Sequence, residues 1–202
     1  MTDTDFPVIR PSTLIASKTG VLLIDFQNEH FTGALPVPGA ERALANAKRL
    51  VSHAHKERMS VFYVRHLAPK DSTAFAEGTS GAEFHPNLQP SSRDHIVTKS
   101  QVSAFESTDL GEQLGRAGVN HLLVCGLTTD AEVASSTLDA VKQGFAVATV
   151  VGDACAARAT TGESGTTIDS DTTHKTALGT MPSIGVPVMT TQEILALPVS
   201  VS

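Results

Sequence analysis

Three charged side chains fall where a layered α/β chain would present them together: Asp25, Lys99 and Glu132. Asp25 closes the apolar run Val21-Leu22-Leu23-Ile24. A carboxylate at the end of a buried strand is partly desolvated, which raises its pKa and suits it to acid or base work. The plainer reading is a helix cap or a loop hydrogen bond. Lys99 follows His95-Ile96-Val97-Thr98, beside Ser100, Gln101 and Ser103. A lysine near a buried carboxylate can hold it ionised or help polarise a substrate carbonyl. Alternatively it is a solvated loop lysine. Glu132 stands in the first turn of an alanine-rich helix that opens after Gly126-Leu127-Thr128-Thr129. Free N–H groups and the helix dipole favour negative charge there, and many first-turn glutamates do nothing more.

The surrounding pattern explains why these residues should meet. Buried strands are expected at Thr19–Asp25, Ser60–Val64, Asp94–Thr98, His121–Cys125, Ala146–Val151 and Val186–Met189. Between them, Ala43, Ala47, Leu50, Val51 and Ala54 recur at helical spacing within 39–58, and further helices are expected at Asp109–Ala117, Asp130–Gln143 and from about Asp169 to Gly179. Ser107 or Thr108, Asp169 or Asp171, and Thr191 are candidate caps, with Gly118 and Gly144 as stops. Continuous apolar strands alternating with helices predict an α/β fold: one doubly wound parallel sheet of about six strands with helices on both faces. It would form a single domain over 1–202, with its core at about 19–195. Ligands of such sheets sit outside the carboxyl ends of the strands. Asp25, Arg65, His66, Lys99 and the turn 126–132 all arrive at that edge. The stretch 65–93 reads as a long loop rich in Pro, Gly and Ser, and loops of that length are often functional.

Composition narrows the partners. The chain has 202 residues, 41% of them hydrophobic, and a net charge of −6, which suits a globular protein with a full core. No Lys/Arg cluster suggests a nucleic-acid surface. No apolar run is long enough to span a bilayer, and the opening Met1-Thr-Asp-Thr-Asp-Phe-Pro7 lacks a basic n-region and an apolar h-region. Two cysteines suit a reducing cytoplasm. Cys125, inside a strand, reads as a core hydrophobe, while Cys155 lies nearer the functional edge with nothing beside it to lower its pKa. The histidines show no H-E-x-x-H spacing, and neither a G-x-G-x-x-G nor a G-x-S-x-G is present.

The combination is more specific than its parts. Leu-Leu-Ile-Asp25-Phe-Gln27-Asn28, Val-Thr-Lys99-Ser-Gln-Val-Ser-Ala-Phe105 and Val-Cys-Gly126-Leu-Thr-Thr-Asp-Ala-Glu132-Val133 together resemble the isochorismatase-like (cysteine) hydrolases, in order and spacing, from about Thr19 to Leu195. In that superfamily the aspartate deprotonates a cysteine that attacks an amide-type carbonyl, the lysine assists, and N–H groups near a cis peptide, here Leu127–Thr128, stabilise the oxyanion. Glu132 stands where the cysteine is usual. A carboxylate is a much poorer nucleophile toward an amide than a thiolate. The resemblance therefore implies a small-molecule hydrolase that cleaves a C–N amide-type or vinyl-ether bond by non-covalent acid–base chemistry through Asp25, Lys99 and Glu132. Gln27, Phe31, His66, Phe105, Leu127 and Thr128 would line the substrate site. It implies no metal or other cofactor, no nucleic-acid or membrane partner, and a cytoplasmic homo-oligomer, dimer or tetramer. The alternative is a catalytically inactive relative, altered at 132 naturally or by design, that binds a small molecule or a protein.

Overall fold

The structure, a computed structural model, describes residues 7–145 and 147–201. Ala146, the expected start of the fifth strand, and the opening residues 1–6 lie outside them. Six strands form the main sheet: β1 Thr19–Ile24, β2 Ser60–His66, β3 His95–Lys99, β4 His121–Leu127, β5 Val147–Ala156 and β6 Val188–Met189. Their order is β3-β2-β1-β4-β5-β6, and every pairing is parallel. All positions of β1 and β4 are buried. A parallel sheet covered on both faces requires this, and it is why these strands read as unbroken apolar runs.

Around the sheet run α1 Ala40–Lys56, α2 Leu110–Arg116, α3 Ala134–Lys142, α4 Ser170–Thr180 and α5 Thr191–Leu195. In α1 the buried residues Ala43, Leu44, Ala47, Leu50, Val51 and Ala54 make one stripe that packs on the sheet. The chain leaves β1 toward β2 and β3, then returns to the other side of β1 to place β4. Strand order therefore reverses between β1 and β4, the switch point at which ligands of open α/β sheets bind. Register puts Ile24 opposite Gly126, so Asp25 and the Leu127–Thr128 bond emerge side by side from the two central strands.

Several local expectations need correction. His66 and Lys99 are the last residues of β2 and β3 and do not follow them, so their backbones are held by the ladder, where they pair with each other. The helix expected from Asp130 begins instead with a wider π-helical turn, Thr129–Val133, before α3. Asp169 caps α4 by accepting from Thr172 N, and Thr190, not Thr191, caps α5 in a capping box with Glu193. Thr108 Oγ1 accepts from Leu110 N at 3.3 Å, while Asp109 precedes α2 without a side-chain cap. The stretch 65–93 is tied down: Asn28 N donates to Glu83 O and His85 N to Phe26 O, both at 2.9 Å. A short parallel ladder joins Leu14–Ile15 to Val199–Ser200.

At Gly126 the sheet leaves no room for a side chain. A Cβ there would lie 2.5 Å from Ile24 O and 2.7 Å from Ile24 Cβ, both on the strand that delivers Asp25. Gly126→Ala should therefore destabilise the fold by about 1–3 kcal/mol through overpacking. Urea unfolding would show this, and a change below about 0.5 kcal/mol, the range of an ordinary surface substitution, would contradict it.

Candidate active site

Asp25 leaves β1 with φ 55°, a left-handed conformation that aspartate tolerates better than most residues. Its N–H still donates to Val64 O at 3.0 Å, so the turn begins only after the sheet has fixed its position. Lys99 Nζ donates to Asp25 Oδ2 at 2.7 Å and to Gln101 O at 3.1 Å, and lies 3.4 Å from His66 Nδ1. The Asp25 and Lys99 side chains are essentially inaccessible. Burial raises the Asp25 carboxyl to about 7, because lost hydration outweighs the attraction of Lys99, and the charge on Glu132 adds to the rise. The 2.7 Å contact suits an ionised pair, so near neutral pH both protonation states of Asp25 are populated. Burial, and then Lys99, hold His66 below its ordinary value.

Across the switch point, Leu127 and Thr128 are joined by a cis peptide bond. Glu132 reaches back one turn, and its Oε2 accepts from Thr128 N at 2.8 Å and from Thr128 Oγ1 at 2.7 Å. Two donors converging on one carboxylate oxygen make a charge-assisted anion site, and the protein's own side chain fills it. The turn is fixed from below by Val133 N to Thr128 O at 3.0 Å, and from outside by a 2.7 Å hydrogen bond between Thr129 Oγ1 and His174 Nδ1.

The other expected residues divide between edge and interior. Gln27 is fully buried: its amide donates to His66 O at 2.8 Å and Ala82 O at 2.7 Å and accepts from His66 N at 2.7 Å. Its side chain thus braces β2 and the long loop. Phe31 lies with its ring 4.3 Å from that of His85 on the loop. Leu127 is buried opposite Ala156, and Phe105 packs in the core against Phe145. Cys125 and Cys155 are buried and free, and burial pushes the Cys155 thiol up to about 12, far from thiolate at neutral pH.

Two neighbours were not singled out in the sequence. Glu29, 5% exposed, accepts from Ala34 N and from Phe75 N, the latter at 3.2 Å, and packs against Gly33 and Gly81, where a Cβ would strike its carboxylate. It is the internal anchor of the long loop. His30, 3% exposed, bonds through Nδ1 to Leu35 O at 3.1 Å, while its Nε2 meets no hydrogen-bonding group among the described residues. The only local sign of either was the run of polar residues Gln27 to His30, one residue beyond Asp25. Their partners lie on segments that sequence spacing cannot bring together.

The sequence model of the isochorismatase domain matches residues 19–193. The chain belongs to the isochorismatase family. This isochorismatase-family hydrolase is 34% identical over 140 residues to the isochorismatase family protein YddQ of Bacillus subtilis, covering 68% of this chain and 77% of that one. It is 32% identical over 127 residues to a streptothricin hydrolase of Streptomyces noursei, covering 63% of this chain but only 46% of that protein. The crystal structure of an isochorismatase from Pseudomonas putida KT2440 superposes with a TM-score of 0.84 at 28% identity, over 92% of this chain and 93% of that one. Among the described residues no group of three or more His, Cys, Asp or Glu is placed to hold a metal ion, and no helix is long and apolar enough to cross a membrane.

The Asp25 surroundings set a titration whose signs can be worked out. Its folded pKa lies above the ordinary 3.8, so the folded state binds the extra proton between about 4 and 7. This group's contribution to stability therefore falls as pH rises through that window. Carboxyl-carbon NMR should place the midpoint near neutrality. Glu132→Gln should lower it by removing a like charge, and Lys99→Met should raise it by removing the cation. A midpoint at an ordinary carboxylate value in all three proteins would contradict the account.

Proposed function

We propose that this hydrolase cleaves a small-molecule substrate without a covalent intermediate, with Asp25 as general acid and Lys99 and Glu132 as fixed charges around the reacting bond. One observation carries the reading: both Thr128 donors are spent on the Glu132 carboxylate. At the position where the resemblance places a nucleophilic cysteine, the side chain is thus tethered and not free to attack.

The charge pattern also favours one bond type. Amide hydrolysis builds negative charge on the carbonyl oxygen and needs free N–H donors there. Here an anion already holds them. Acid-catalysed cleavage of a vinyl ether builds positive charge on the substrate instead. In that reaction protonated Asp25 gives its proton to the double-bond carbon, the remaining oxocarbenium ion is held beside the Glu132 carboxylate, and water adds to it. The hemiketal so formed breaks into a carbonyl compound and an alcohol. Lys99 stabilises the carboxylate that Asp25 becomes. Gln27 and Glu29 position the edge, and Thr128 positions Glu132. An amide-type bond, as the streptothricin hydrolase name could suggest, would need Glu132 to leave Thr128 first. The chain is read as one domain acting on a small molecule. A dimer or tetramer is read from the family likeness and a cytoplasmic setting from the two free cysteines, and light scattering checks the former.

The same tether favours a second reading, an inactive member that only binds. Wild type, Asp25→Asn and Glu132→Cys should be screened on vinyl ethers, with isochorismate first, and on amides and esters. The proposal expects wild-type turnover of a vinyl ether and a loss of about 10²–10⁴-fold in Asp25→Asn, the usual worth of a general acid. A silent wild type beside an active Glu132→Cys would establish the second reading instead.

A further inference from the structure

A hydrolysis with no protein nucleophile needs a proton acceptor for the attacking water as well as a donor. Glu132 Oε2 is held by two donors, and His66 Nδ1 faces Lys99. Three side-chain atoms near this edge remain buried with no hydrogen-bonding partner among the described residues: Asp25 Oδ1, His30 Nε2 and Asp130 Oδ1, the last on a residue that lines a separate cleft with Thr160, Ile168 and Thr173. His30 sits in the short turn Asn28–His30, a few residues beyond Asp25. Its ring meets the edge of Phe75 at 5.1 Å, and Phe75 lies 5.1 Å from His66, which lies against Lys99. A continuous row of side chains therefore connects His30 to the Asp25–Lys99 pair.

We propose that His30, through Nε2, holds the hydrolytic water and takes its proton as the water oxygen bonds to the substrate. This rests on the acid–base reading above. The Nδ1 contact to Leu35 O requires a hydrogen on Nδ1, which leaves the lone pair on Nε2. Burial holds the imidazole below its ordinary pKa, outweighing the Leu35 hydrogen bond and the Glu132 charge that favour the protonated ring, so the ring is neutral and the lone pair free at neutral pH. The balance closes on one water. Asp25 has lost its proton to the substrate, His30 gains one from water, and the imidazolium passes it on through the departing product or solvent to restore Asp25.

Two measurements test the inference. Long-range 1H–15N NMR of the resting protein should show His30 as the Nδ1–H tautomer, and an Nε2–H tautomer would overturn the proposal without any substrate. With isochorismate as the probe, His30→Phe, which keeps an aromatic ring against Phe75, should lower kcat by about 10²-fold with KM changed only a few-fold. Imidazole in the buffer should restore part of the rate to His30→Ala. Wild-type kcat in His30→Phe beside a dead Asp25→Asn would remove the role of His30 and leave the acid–base reading standing. A wild type that turns over no substrate in the panel would remove both.

Discussion

Everything at the carboxyl edge depends on a buried pair of opposite charges. Asp25 and Lys99 leave neighbouring regions of one sheet and meet at 2.7 Å with almost no access to water. Neither would be stable there alone, since removing one partner of such a pair leaves an uncompensated buried charge at a cost of roughly 3–5 kcal/mol. The surrounding structure supports the pair. Ladder bonds fix Lys99 at the end of β3 opposite His66, Gln27 just beyond β1 holds the His66 backbone, and the loop held by Glu29 places Phe75 against the His66 ring. A carboxylate kept near its balance point by burial and a lysine has the character of an acid that works at neutral pH.

Against this pair stands a second charge, Glu132, aimed elsewhere. Its tether to Thr128 turns a converging pair of donors, a natural place for an oxyanion, into a place already holding one. The family scaffold and the chemistry therefore separate. The topology is that of an isochorismatase-family hydrolase, while on the proposed reading the Glu132 carboxylate at Thr128 favours positive over negative charge on a substrate. The interior thiols offer no substitute nucleophile, as burial keeps both protonated.

Much of this was legible in the sequence because apolar runs and their spacing fix strands, and strand ends fix an edge. Asp25, Lys99 and the turn before Glu132 could be placed together from that rule alone. The failures have common causes. The backbone of Lys99 belongs to its strand and not to a loop, because β3 extends one residue further to pair with His66. The π-helical turn at Thr129–Val133 leaves no signature in hydrophobic period. Gln27 read as a substrate contact by resemblance, yet its amide is consumed by backbone groups of His66 and Ala82. Glu29 and His30 escaped notice because their partners, such as Phe75, lie on a loop whose path a single sequence does not reveal.

The central claim is that the Glu132 carboxylate never becomes covalently bonded to substrate. Turnover in water enriched in oxygen-18, followed by mass spectrometry of the peptide that contains Glu132, tests it directly. A covalent intermediate opened by water at the Glu132 carboxyl carbon would exchange label into that carboxylate over many cycles, and one opened on the substrate side would show as a mass adduct on the same peptide under rapid quench. The account predicts oxygen-18 in the product alone and an unchanged Glu132 peptide. Label accumulating in the Glu132 carboxylate would contradict it.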